Sequence, residues 1–258
     1  MRADDEAVNP VEAIAILAAG FAAGTINTIV GSGSLLTFPT LLAFGYPPVV
    51  ANVSNTVGLV PGSISGAVGY RRELRGQARR VVLFCAVGAA GGLTGAVLLL
   101  ALPATSFERV VPFLVLGACL LVALQPRLSR AVADRRSATA REHPLPLLGG
   151  VYLTGIYGGY FGAAQGVILI ALLGIFLPDD IQRLNALKNV ITAVVNGIAG
   201  VVFVLVAPIS WLPALLLGAG AIVGGQVGAL VGRRLPPTAL RGIIIVVGTV
   251  VGLRLLLA

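Results

Sequence analysis

Charge is scarce in this chain: Asp, Glu, Lys and Arg make up only 11% of 258 residues, against 57% that are hydrophobic. No soluble domain of this length buries that much apolar surface in one core, so a water-soluble fold is excluded and the chain belongs in a membrane. Cysteine is nearly absent, and Cys85 and Cys119 both fall inside apolar runs. That excludes a disulfide framework and reads as two small core residues. The single histidine, His143, stands beside Pro144 in a polar stretch, and there is no HExxH, CxxC or phosphate loop. No metal site and no cofactor is expected, and Ser, His and acid are not arranged as a triad, so the sequence gives an intramembrane enzyme little support. Carboxylates are few and peripheral. All ten, from Asp4 to Asp180, fall in tails, loops or helix ends, away from the mid-span position where a proton- or sodium-coupling acid usually sits. The opening "MRADDEAVNP" is acidic and has no positive region ahead of the first apolar run, so no cleavable signal peptide is expected.

What is present is a series of apolar runs such as Val81 to Leu102 and Val110 to Leu124, close to the ~20 residues that cross ~30 Å of hydrocarbon as a helix. The excess of 18 Lys and Arg over 10 Asp and Glu is gathered in short segments between these runs. That is the pattern of positive-inside topology and not of a nucleic-acid-binding face.

The chain also repeats itself. The polar stretch "QPRLSRAVADRRSATAREHPLP" divides it into a first repeat (1–125), a basic cytoplasmic linker (126–146) and a second repeat (147–258). Gly24 and Gly31 fall opposite Gly155 and Gly162 at one offset. "SNTV" from Ser54 then falls opposite "KNVI" from Lys188, "GGLTG" from Gly91 opposite "GGQVG" from Gly224, and the "LP" at Leu102 opposite that at Leu235. Two copies of one unit account for this order.

Each copy has a flaw in its first apolar run. Pro10 to Gly45 would make a helix of over ~50 Å, far beyond one crossing. The run holds four poor helix formers, Gly31, Ser32, Gly33 and Ser34, and is predicted to break there into a long limb and a short one, Leu35 to Phe44, that return as a hairpin. Non-helical backbone at that depth is tolerated only where it is buried in protein or lines a polar cavity. With one hairpin and three full crossings per repeat, the arginines of "YRRELRGQARR", the linker, "PDDIQR" and "GRRLPP" all fall on one side, and the acidic N-terminus on the other. An odd number of crossings inverts one repeat relative to the other. The expected fold is therefore an all-α polytopic membrane protein of two inverted repeats, about eight membrane segments in all, a plan shared with many secondary transporters whose site lies where broken helices meet.

Polar residues inside spans are costly and so mark candidate sites. In the first repeat these are Asn27, Thr28, Gly31, Ser32, Gly33, Ser34 and Thr37 around the break, then Asn52, Ser54, Asn55 and Thr56 at the next helix start. In the second they are Gly162, Gln165 and Gly166 around the matching break, then Asn185, Lys188, Asn189, Thr192 and Asn196. A short limb starting at a break presents N–H groups and a positive dipole end, which favours an anion, with hydroxyls and amides as further donors. Small residues also let membrane helices approach closely, and that alone accounts for glycines such as Gly91, Gly92, Gly224 and Gly225. Lys188 lies in the first turns of its helix, where snorkelling to the inner surface and contact with substrate are both open.

The residues from "GTINTIVGSGSLLTFPTLL" through Gly45-Tyr46-Pro47-Pro48 and Ala51 to Asn55 resemble the first repeat of the TauE/SafE family of sulfite exporters, and "GGYFGAAQGVILIALL" with "LNALKNVITAVVNGIAGVVF" resembles the second. The resemblance implies a bacterial inner-membrane permease for small anions such as sulfite, thiosulfate or organosulfonates, with lipid and substrate as its partners. Gly162-Ala163-Ala164-Gln165-Gly166 departs from the family's glycine run, which singles out Gln165 for specificity. The expected function is alternating-access transport of such an anion. An anion channel and a non-transporting scaffold of a sulfur-handling complex are the alternatives.

Overall fold

The computed structural model describes residues 8–135, 144–231 and 238–257. Among them the regular structure is helical throughout, in the order α1 (Pro10–Ile29), α2 (Ser34–Ala43), α3 (Pro48–Gly69), α4 (Ala78–Ala101), α5 (Ala104–Arg135), α6 (Pro144–Tyr160), α7 (Gln165–Phe176), α8 (Ile181–Val206), α9 (Trp211–Val231) and α10 (Thr238–Leu257). The polar stretch from Gln125 therefore begins as helix, in α5. His143 and Leu235 lie outside the described residues. Five of the helices, α1, α4, the α5 segment to Arg127, α8 and α9, are long and apolar enough to cross a membrane. Large side chains such as Val11, Phe113, Leu153, Leu205 and Leu215 stand exposed on the helices, as expected of surfaces solvated by lipid. The protein is a polytopic membrane protein.

Local signals place the ends. The Asn9 side chain accepts the Glu12 N–H at 2.8 Å and Pro10 occupies the first turn, where its missing N–H costs nothing, so α1 starts there. Asp180 caps α8 in the same way, accepting the Gln182 N–H at 2.8 Å. The end of α1 is set by Gly31, whose φ of 90° takes the chain out of the helix at no side-chain cost; Gly162, with φ 78°, does the same after α6.

After the first break the chain turns back on itself. A Cβ on Gly33 would collide with the backbone of Ala23, and the Tyr46 hydroxyl donates to Glu12 Oε1 at 3.0 Å. The limbs α1 and α2 are thus antiparallel, closing near the start of α1. With 10 residues, α2 is ~15 Å long, half of what a crossing needs. The long limb differs from a shallow dip. Gly66, near the end of α3, lies against Thr28, near the end of α1, so α1 runs almost as deep as a full crossing and only the short limb stops partway.

Small residues pair the helices. Gly20 and Gly24 of α1 meet the backbones of Leu217 and Ala221 of α9, and Gly58 and Gly62 of α3 meet α9 at Ala214 and Ala221, so these three helices run parallel. In the other group, Gly91 and Gly95 of α4 lie on Tyr152 and Ile156 of α6, while Gly88 and Gly92 meet Ile191 and Val195 of α8. The short limbs are flanked from the opposite half, α2 by α10 and α7 by α5, and α5 packs on α10. Where α3 meets α8 the two are antiparallel: Gly200 faces Val57 and Val60, and Val194 faces the later turns near Ile64 and Val68.

One end of the bundle gathers the basic loops. Arg80, opening α4, and Arg183 of α8 both pair with Asp179, at 2.8 and 2.7 Å. Arg183 also donates to the Arg75 carbonyl at 3.1 Å, and Gln77 to the Arg183 carbonyl at 3.3 Å. The arginines of the α3–α4 and α7–α8 loops therefore share one end, as the sequence requires; 232–237, which include "RRLPP", are outside the described residues.

Candidate functional site

The two breaks meet. The Gly166 N–H at the start of α7 donates to the Gly31 carbonyl at 3.0 Å, and a Cβ on either glycine would strike the other's backbone. Only glycine at both positions lets two interrupted backbones touch, which is the physical reason Gly31 and Gly166 are needed as a pair. Beside this contact Phe38 of α2 meets Phe161 edge-to-face at 5.3 Å between centroids, and Tyr157 donates its hydroxyl to the Ala163 carbonyl. Ala164 is left-handed at φ 59°, a conformation costing a residue with a Cβ roughly 1–2 kcal/mol.

Breaking a helix frees its last carbonyls, and in a membrane these must be met by protein. For α1 the partners come from α8. Lys188 Nζ donates to the carbonyls of Asn27 at 3.1 Å and Thr28 at 3.3 Å, and the amides of Asn185 and Asn189 both reach the Thr28 carbonyl at 3.3 Å. For α6 the partner comes from α3: the Asn52 amide donates to the Tyr160 carbonyl at 3.0 Å. Each long limb is capped by the third helix of the other half, with the Lys188 amine at the α1 end, where the negative helix dipole favours a cation.

Lys188 does not snorkel. It is 1% exposed, and among the described residues no carboxylate is recorded as its ion-pair partner. Three donors converge on Thr28 O, which has two lone pairs, so hydrogen-bond donors are in surplus around this carbonyl.

The other candidates separate into engaged and unengaged groups. Asn27 Oδ1 accepts the Gly33 N–H at 2.9 Å, bridging the first break, and Thr37 donates its hydroxyl to Asn55 Oδ1. Two backbone donors expected for substrate, those of Gly33 and Gly166, thus have partners within the protein. Ser54 Oγ accepts the Ser210 N–H at 2.9 Å near the α8–α9 loop, away from the breaks, and Ser34 is the half-buried first residue of α2. Ser32 and Gln165 are both 1% exposed, and Ser32 Oγ, Gln165 Oε1 and Gln165 Nε2 have no hydrogen-bond partner among the described residues. Thr192 Oγ1 and Asn52 Oδ1 are in the same condition.

The Gln165 amide lies against Gly158; a Cβ on that glycine would come within 2.5 Å of its Nε2. At the offset that matches Gly31 to Gly162, Asn27 corresponds to Gly158 and Ser34 to Gln165. An amide therefore bridges each break from opposite limbs, bonded in the first half and unbonded in the second. Asn52 was a candidate from the sequence, and the fold supplies its partner; the Glu12–Tyr46 bond that closes the first hairpin is a contact the sequence did not signal. Asn52 was visible as a buried-type amide two residues before Ser54, but its partner on another helix was not.

The chain matches the sulfite exporter TauE/SafE family over residues 16–255. It is similar to the probable membrane transporter protein ORF9 of Sinorhizobium, 26% identical over 93% of this chain and 91% of that protein. A probable membrane transporter protein of Haemophilus influenzae is 28% identical over 92% and 91%, and YfcA of Escherichia coli K12, also a probable membrane transporter protein, 26% over 91% and 86%. No solved structure matches the chain.

Proposed function

The chain belongs to the sulfite exporter TauE/SafE family, a family of membrane transporters, and from that premise we propose that it is a permease carrying a small sulfur-containing anion through a site at the junction of the two breaks. The observation that carries this reading is Lys188, a buried amine whose hydrogen-bond partners among the described residues are only carbonyls. A positive charge on a buried amine is costly without a counter-ion, and an anion arriving at the junction supplies one. Ser32 and Gln165 then give it a hydroxyl and an amide that no other described residue uses, while Gly31, Gly33, Gly162 and Gly166 keep the backbone close. Asn27, Asn55 and Asn189 hold the shape of the site through their internal bonds.

The same reading takes the halves as inverted repeats. It is supported by the matching of Gly91 on Tyr152 and Gly155 with Gly224 on Phe21 and Thr25, and by the antiparallel run of α3 and α8. With the arginine-rich loops at one end, positive-inside topology makes that end cytoplasmic and places the start of α1 outside. Rocking of the halves about the Gly31–Gly166 contact is the motion that alternating access requires.

The test is uptake of radiolabelled sulfite, thiosulfate and a small sulfonate into liposomes holding the purified protein. We expect saturable flux and counterflow, with Lys188→Met weakening the apparent affinity about 30-fold or more, from the ~2 kcal/mol or more lost when one member of a buried charge pair is removed. Flux without counterflow would make the protein a channel. Absence of flux for all three, with a stoichiometric partner co-purifying, would replace transport by the scaffold reading.

A further inference from the structure

Facing outward between α3 and α8, near the basic end, is an open apolar groove of about 420 Å³. Its walls are Ile64, Ala67 and Val68 of α3 and Val190, Ala193 and Val194 of α8, each set spaced so that one helix face lines one wall. At its mouth stands Arg71, exposed, its guanidinium making one hydrogen bond among the described residues, a long 3.5 Å contact to the Val68 carbonyl. Arg72 and Arg75 are exposed in the same loop. Of the acids around these loops, Asp179 is already held by Arg80 and Arg183, and Glu73, in the loop of Arg71 itself, has an interaction of its own.

We infer that this groove is a binding site for an anionic phospholipid, one acyl chain lying between α3 and α8 and the phosphate on Arg71. Membrane location decides the apolar half of this assignment. A groove walled by aliphatic side chains on the outside of two spanning helices is filled by an acyl chain, which gains little over lying elsewhere in the bilayer. Selectivity must then come from the headgroup. A guanidinium with free donors at the level where spans give way to loops matches a phosphate in charge and in hydrogen-bond geometry, whereas it repels the choline of a zwitterionic lipid. The α3 and α8 walls also carry Asn52 and Lys188 on their inner faces, so a lipid wedged there bears on the helices that cap both breaks.

The experiment needs no transport. Purified protein in detergent is titrated with phosphatidylglycerol or phosphatidylcholine and bound lipid is counted by native mass spectrometry. The wild-type protein is expected to retain phosphatidylglycerol in preference. Arg71→Gln should lower that affinity about five-fold, the change set by one basic residue at a membrane surface. Ala193→Trp, which fills the groove from a lipid-facing position, should remove binding of both lipids while gel filtration shows the same folded species. Arg109→Gln, at the start of α5, should change nothing. Equal retention of the two lipids, or retention untouched by both groove variants, overturns the assignment. So does a wild-type dimer that Ala193→Trp converts to a monomer, because the groove is then covered by a second copy of the chain.

Discussion

Gln165 carries a cost in stability that the protein at rest does not offset. Its amide is buried, yet neither Oε1 nor Nε2 has a partner, and each such group costs about 1–3 kcal/mol. Gln165→Leu keeps the volume and removes both groups. The variant is expected to melt higher than wild type, by several degrees in detergent, while sulfur-anion flux falls; a lower melting point would show that the amide is bonded in the protein at rest. The contrast with Asn27 marks the limit of the sequence. Cost of burial was legible for both residues from their place in apolar runs, but whether a partner waits for them depends on backbone geometry at the break. Asn27 finds the Gly33 N–H and Gln165 finds Gly158, which offers its side nothing. Lys188 was ambiguous for the same reason. Its distance from the helix start fits snorkelling, and only the folding back of α1 against α8 brings two freed carbonyls within its reach.

Among the elements, α1 and α6 are held by glycine faces with no room for a side chain. A Cβ on Gly24 would lie 2.8 Å from the Ala221 Cα, and one on Gly155 would lie 2.8 Å from the Gly88 carbonyl oxygen. Gly24→Val and Gly155→Val should therefore destabilise the protein similarly, by about 1–3 kcal/mol each, read as lower melting points and lower membrane yield. A large effect at one position and none at the other would count against the equivalence of the halves. Gly33 behaves as a packing residue as well, since a Cβ there meets the Ala23 backbone, so loss of flux in a Gly33 variant would not by itself locate substrate. The breaks themselves were readable, because Gly31 to Ser34 interrupts a run too long for one crossing. The depth of α1 was not, because a run's length says where a helix must stop and nothing about which neighbour it stops beside.

For the whole molecule, the ion pairs of Asp179 tie two loops into one basic end, and the topology can be tested directly. With Cys85 and Cys119 replaced by Ala, single cysteines at Arg72 and Pro178 should react with an impermeant maleimide from the cytoplasmic side of oriented membranes. Cysteines at Ala104 and Pro208 should react from the other side. Labelling of Arg72→Cys and Pro178→Cys from opposite sides would break the inverted arrangement. Here the sequence carried far, since arginine placement is a whole-chain property that needs no tertiary detail.

The pairing of α1 with α9 has a consequence for how the protein is made. Thr25 of α1 donates to the Gly224 carbonyl across 199 residues of chain, and the Gly20 and Gly24 face has its partner on the same late helix. At about 5–20 residues per second of synthesis, α1 waits about 10–40 s before the surface that completes it is translated. For that interval a narrow, polar-edged strip of glycine backbone faces lipid or the insertion machinery, so the nascent first half is a client for protection and the ribosome's pace sets how long protection must last.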